Sequence, residues 1–260
     1  MNRSRIAFTA AVGAATLLAM AVSARAETRA VLELFTSQGC PYCPDADWIF
    51  GKLAADPSLV TLTMPVDIWD YHGWKDTLAK PRHSARQKAY AHIRGDREIY
   101  TPQIIVNGAE QALGNERGEI DQAIAATRRK GERLSLPVEL EPGPDNLNVT
   151  VLDGNAGHAK GEVWLCALTK SVPVIIGRGE NRGRTVTYHN VVRRWLKVAE
   201  WTGTSVSVDV PNSDFKAEGI DAVAVIVQRG EIDKPGMVLG AAVASLGQSR
   251  GAAVQLLPAH

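Results

Sequence analysis

Ala30-Val31-Leu32-Glu33-Leu34-Phe35-Thr36-Ser37-Gln38-Gly39-Cys40-Pro41-Tyr42-Cys43 is the stretch on which the fold turns. Its first seven residues form a compact apolar run, the kind that sits inside a sheet covered on both faces. Gly39 then lets the chain turn sharply, and Pro41 suits the first position of a helix. Cys40 and Cys43 stand one turn apart, close enough to close a small disulfide. Trp48, Ile49, Leu53 and Ala54 recur at helical spacing until Asp56-Pro57 stops the helix. Two thiols therefore stand at a strand-to-helix junction.

A thiol attacks a disulfide only as thiolate, so a redox cysteine needs a lowered pKa and partial exposure, and the free N–H groups of a helix start help to supply the first. Cys40 is the expected attacking thiol and Cys43 the resolving one. Pro44 complicates this, because its missing N–H and its bulk allow Cys43 to cap a helix that starts there. Cys40 then receives less of the helix field, and Asp45 and Asp47 oppose its thiolate. Cys166, in the apolar run Val163-Trp164-Leu165-Cys166-Ala167-Leu168, reads as an inert thiol in a buried strand.

Leu59 to Val66 reads as a second strand. Residues 81 to 94 begin with a proline and place Ala85, Ala89 and Ile93 four apart, which predicts a second helix. Tyr100 to Gly108 is a strand that starts at Pro102 and leaves through Asn107-Gly108. Ala109 to Leu113 returns antiparallel, and Ile120, Ala123, Ile124 and Thr127 mark a further helix. Beyond Arg128 to Arg133 the pattern changes to short strands: Leu134 to Glu141, Leu147 to Leu152, Glu162 to Thr169, Val186 onward, Ser205 to Val210, Ala222 to Gln228 and Val238 to Ser245. Many short strands separated by turns predict an all-β antiparallel sandwich.

The N-terminus bears on location. Arg3 and Arg5 precede a charge-free apolar run from Ile6 to Val22, and Ser23-Ala24-Arg25-Ala26 follows, which reads as a signal peptide cut between Ala26 and Glu27. The expected product is an exported, periplasmic or secreted protein with a first domain over 27–132 and a β-rich second one over 133–260. No later segment is apolar enough to cross a membrane. Losing Arg3, Arg5 and Arg25 turns 29 basic and 28 acidic residues into 26 and 28. That balance excludes nucleic acid or an anionic membrane as the main partner, since either needs a basic excess.

The order strand, helix, strand, helix, strand, strand, helix over residues 29–130, with Cys-x-x-Cys after the first strand and a strand-entering Pro102, resembles the thioredoxin fold. The resemblance implies a cis Thr101-Pro102 bond beside the disulfide, with Thr101 offering its backbone to an extended substrate. It departs in having Ser37-Gln38-Gly39, without a tryptophan, before Cys40. Cys-Pro-Tyr-Cys is the tetrapeptide typical of glutaredoxins, and Thr101-Pro102 with Gly114-Asn115 loosely echoes their glutathione-binding segments; outside the cytoplasm glutathione is not the expected reductant. Glu33 to Cys40, Cys43-Pro44-Asp45-Ala46-Asp47, Val66 to Asp76, Arg86-Gln87, Tyr100 to Gln103 and Gly177-Arg178-Gly179-Glu180-Asn181 together resemble the secreted proteins grouped as domain of unknown function 1223. That resemblance implies export and a thioredoxin-like domain but carries no activity.

Catalytic Cys40 and Cys43, with Thr101, Pro102 and Tyr42 for substrate, are thus the candidate site of a thiol-disulfide oxidoreductase. Its partner is a protein or small thiol or disulfide, and no cofactor or resident metal is called for. Two rivals stay open: a soft-metal protein holding Cu(I) through both thiols and His72, and a non-catalytic binding module stapled by a disulfide. Trp69, Tyr71, His72 and Trp74 read as a loop packed on the core, or as a groove beside the cysteines. His83 and His92 read as surface residues of a helix. Arg178, Arg182, Arg184, Arg193, Arg194 and His189 surround a Gly-rich turn that reads as a long hairpin with solvated or domain-bridging arginines, with a bound anion or an acidic partner surface as the alternative.

Overall fold

The computed structural model describes residues 28–129, 134–154 and 160–246; the signal-peptide reading and the charged linker at 130–133 lie outside them. In the first half β1 (Ala30–Thr36), α1 (Cys43–Leu53), β2 (Leu59–Pro65), α2 (Pro81–Arg94), β3 (Gln103–Val106), β4 (Glu110–Leu113) and α3 (Arg117–Arg129) follow in the expected order. The second half is β5 (Val138–Pro142), β6 (Asn146–Val151), β7 (Gly161–Ile175), β8 (Thr185–Trp201), β9 (Val206–Pro211), α4 (Asn212–Phe215), β10 (Ala222–Glu231) and β11 (Lys234–Ser245). Among the described residues no helix is long and apolar enough to cross a membrane.

Strands of both halves join in one eight-stranded sheet, ordered β11-β10-β7-β8-β2-β1-β3-β4. β1 lies parallel to β2 and antiparallel to β3, and the halves meet where β2 runs parallel to β8 at Thr63 and Val191. A separate antiparallel sheet holds β5, β6 and β9. The expected sandwich is present in part: Val138, Leu147, Val149 and Val151 from the small sheet pack on Val163, Leu165, Val223 and Val225 of the large one. The large sheet itself is mixed rather than all antiparallel, because the second half extends the sheet of the first.

The apolar runs do what a strand buried on both faces requires. Ala30, Leu32 and Leu34 of β1 face α1 and α3, packing with Phe50, Leu53, Ile120 and Ile124. Val31 and Phe35 face the other way, into a core with Val60, Leu62 and Met64 that is completed by Trp164, Cys166, Val192, Trp195 and Ile226 of the second half. Cys166 is fully buried there.

α2 forms where expected, and its buried face is largely polar. Ala85 and Ile93 point to solvent and Ala89 is half-buried, while His83, Ser84, Arg86, Gln87, Tyr90 and Ala91 are buried. Arg86 donates to Glu33 on β1 through Nε (2.6 Å) and Nη2 (3.0 Å), and Nη2 also reaches Tyr90 and Gln228. His83, expected at the surface, is buried, with Nδ1 donating to the Pro65 carbonyl at 3.0 Å. Desolvation holds its pKa down at about 4. His92 is exposed, as expected.

Candidate functional site

Cys40 and Cys43 stand beyond the end of β1, where Ser37 to Tyr42 turn the chain into α1. The helix begins at Cys43, with Tyr42 as its N-cap and Pro44 in its first turn, so Pro44 and not Pro41 sets the start. Cys40 lies before the helix, and its backbone is held by the turn: its N–H donates to Ser37 and its carbonyl accepts from Cys43. The two sulfurs lie within hydrogen-bond reach of each other, and both thiols are free. Tyr42 is exposed beside them.

The Cys40 thiol is lowered to about 7. The Cys43 S–H donating to its thiolate is the main cause; the Thr101 side chain and the N–H groups of Tyr42 and Cys43 add to it and overcome desolvation. In the thiol form Cys40 Sγ donates to the Thr101 carbonyl at 3.5 Å. The Thr101-Pro102 bond is cis. Trp69 Nε1 donates to Thr101 Oγ1 at 2.7 Å; an indole N–H only donates, so the hydroxyl proton of Thr101 remains available for the neighbouring sulfur.

Cys43 has the opposite polarity. Burial pushes its thiol well above the ordinary value, helped by the charge of Cys40 and of Asp47. Asp47, one turn along α1, is itself buried, and desolvation raises its carboxyl well above the usual range. Its Oδ2 accepts from Thr36 Oγ1 at 3.1 Å, while Oδ1 has no hydrogen-bond partner among the described residues. The Thr36 hydroxyl also bonds the Cys43 side chain, so it stands between the buried thiol and the buried carboxyl. Asp47 was visible in the sequence only as a charge opposing Cys40. Its place between Ala46 and Phe50 on the apolar face of α1 was the signal of its burial.

Partial exposure, expected of an attacking thiol, is absent: neither cysteine has accessible surface. Trp69 covers the turn so closely that a Cβ on Gly39 would stand 2.8 Å from Trp69 Cβ. Trp69 stacks on His72, and His72 on Tyr71, which is exposed. The loop is anchored at its far end, where Asp76 accepts from the N–H groups of Gln38, Leu78 and Ala79 and Trp74 donates to Gln38 Oε1 at 2.8 Å. Of the two sequence readings of this loop, packing on the core holds for Trp69 and Trp74, while Tyr71 and His72 are exposed. His72 is held in the ring stack, and the described residues contain no group of three or more His, Cys, Asp or Glu able to share a metal ion.

The second half completes the site. Asn181, at the tip of the β7–β8 hairpin, donates through Nδ2 to the carbonyls of Cys40 (2.7 Å) and Gln38 (2.9 Å). Tyr188 of β8 is buried near both thiols, Asp47 and Asp76, and desolvation first, then these charges, raises its phenol. Neither residue was legible as part of the site, although Asn181 belongs to the Gly177–Asn181 stretch that carried the family resemblance.

Over 95 residues the chain is 30% identical to a protein named Probable Thioredoxin from Archaeoglobus fulgidus, a match covering 36% of this chain and 85% of that one. A crystal structure of a structural-genomics protein from Agrobacterium tumefaciens superposes with a TM-score of 0.76 at 30% identity, covering 91% of this chain and all of the other. The family described as Protein of unknown function (DUF1223) matches residues 31–228, most of the eight-stranded sheet and all the residues around the thiols, and the chain belongs to that family.

Proposed function

We propose that the protein is an exported thiol-disulfide oxidoreductase whose first half is thioredoxin-like. The observation that carries the proposal is the unequal pair of thiols: Cys40 lowered to about 7 and Cys43 raised above its usual range. One sulfur is then a thiolate near neutral pH while its neighbour keeps its proton, which is the division of labour that exchange needs. A structural bridge has no use for the difference.

In the reaction, the Cys40 thiolate attacks one sulfur of a substrate disulfide, the substrate S–S bond breaks, and the other substrate sulfur leaves as thiolate with the electron pair. Cys43 then resolves the mixed disulfide. Its proton passes to Thr36 Oγ1 as the Thr36 proton passes to Asp47, and the Cys43 thiolate attacks Cys40. The Cys40–Cys43 disulfide forms as the substrate is released reduced. The reverse sequence oxidises a dithiol.

Equilibrating the protein with glutathione buffers and counting free thiols by mass spectrometry gives the reduction potential. A value between roughly −270 and −120 mV, the span of known oxidoreductases, is the expected result. A value below about −300 mV marks a structural bridge and overturns the proposal.

A further inference from the structure

Along α1, from Pro44 next to Cys43 in the chain, runs a groove of 1020 Å³, large enough for a short peptide segment. One wall is α1, contributing Pro44, Asp45, Trp48, Gly51 and Lys52; the other is the start of β8, from Arg184 to His189. The walls meet where a Cβ on Gly51 would stand 2.6 Å from the His189 ring. Pro44 follows Cys43 directly. At the other wall Arg184 lies three residues beyond Asn181, which bonds the Cys40 carbonyl, so its Cα is within about 10 Å of that of Asn181.

The charges of this groove have one predominant sign. Among the described residues neither Arg184, which is exposed, nor Lys52 makes an ion pair, and Lys52 Nζ lies 3.5 Å over the Trp48 ring. Arg178 and Arg182 stand exposed on the same turn. Asp45 on the wall and Glu180 on the turn oppose them, and His189, whose pKa desolvation lowers, adds no charge at neutral pH. A local basic excess in a nearly neutral chain, with the exposed ring of Trp48 beside it, is complementary to an acidic polypeptide.

We infer that the groove is a docking subsite for acidic residues flanking the reactive cysteine of a protein substrate. The inference rests on the exchange function proposed above and names its substrate class. Opposite charge at the rim of such a site acts mainly on the rate of encounter and is screened by salt.

The test uses the Cys43→Ser protein, which stops at the mixed disulfide, and two hexapeptides alike but for Glu or Lys beside a cysteine activated with thionitrobenzoate. Attack by Cys40 releases the coloured thiolate and joins the peptide to the protein. The acidic peptide is expected to react about tenfold faster at low salt, with most of the difference gone at about 0.5 M salt. Adding Lys52→Glu and Arg184→Glu is expected to reverse the preference, with circular dichroism used to check that the variant folds. Equal rates for the two peptides, or a preference unmoved by the two substitutions, overturns the docking subsite and leaves the exchange function standing. Release of no thiolate from either peptide overturns the exchange function and the subsite together.

Discussion

At Thr101 one hydroxyl serves two neighbours. Trp69 donates to its oxygen and leaves its proton for the Cys40 sulfur, so Thr101→Val removes a donor that favours the thiolate and raises the Cys40 pKa. With iodoacetamide the alkylation rate of Cys40 should climb through a midpoint near 7 in the parent and through a higher one in Thr101→Val, with roughly threefold slower reaction at pH 6. An unmoved midpoint removes Thr101 from the site. Asp47 makes a sharper case, because the proposed proton relay gives its burial a use in chemistry at the expense of stability. A carboxyl whose folded pKa is raised contributes stability below its unfolded value near 3.8, and that stability is lost as pH rises. Asp47→Asn should therefore stabilise the fold at neutral pH by about 1–3 kcal/mol, while slowing resolution about 100-fold. Denaturant melts and the decay of a trapped mixed disulfide measure the two effects, and a variant that resolves at the parent rate shows that Cys43 loses its proton elsewhere.

The loop from Asp67 to Lys80 is the element that decides access. It lays Trp69 on Gly39 over the buried Cys40 thiol, and its tip rings, Tyr71 and His72, pack on each other at the surface. Trp69→Ala should raise the limiting alkylation rate of Cys40, measured at pH 9 where its ionisation is complete, by about tenfold. An unchanged limiting rate means that Cys40 is reached from another side. This loop also shows where a sequence stops being legible. β1, α1 and the return of β3 into β4 were readable because apolar spacing, proline and Asn-Gly act within a few residues of themselves. The inward face of α2 was not, because what makes Arg86 and Tyr90 buriable is Glu33, far away in sequence. The apolar spacing of Ala85, Ala89 and Ile93 marks the helix but not its buried face, for the same reason. The cysteine pair was legible as a motif, whereas its cover and Asn181, 141 residues from Cys40, depend on tertiary contacts that no local spacing encodes.

Taken whole, the molecule builds its Cys40–Cys43 turn on a sheet that neither half owns. Glu33, Arg86, Tyr90 and Gln228 form one buried polar network between β1, α2 and β10, with the Arg86 guanidinium 4.6 Å from the Trp195 ring centre. Glu33→Gln leaves that guanidinium buried without its carboxylate, a change expected to cost about 3–5 kcal/mol in a denaturant melt. A larger consequence concerns cutting the chain. Val31, Phe35, Val60, Leu62 and Met64 of the first half are covered by Trp164, Val192, Trp195 and Ile226 of the second. Exposing five such side chains at about 2 kcal/mol each removes about 10 kcal/mol, comparable with the whole stability of an ordinary domain. Asn181 and Tyr188, which hold and surround the thiols, leave with the same cut. Residues 28–129 expressed alone should therefore show no cooperative thermal transition by circular dichroism, and their Cys40 should titrate as an ordinary exposed thiol. A sharp transition with a Cys40 midpoint still near 7 would show instead that the first half carries its own core and its own redox centre, with the second half added for substrate.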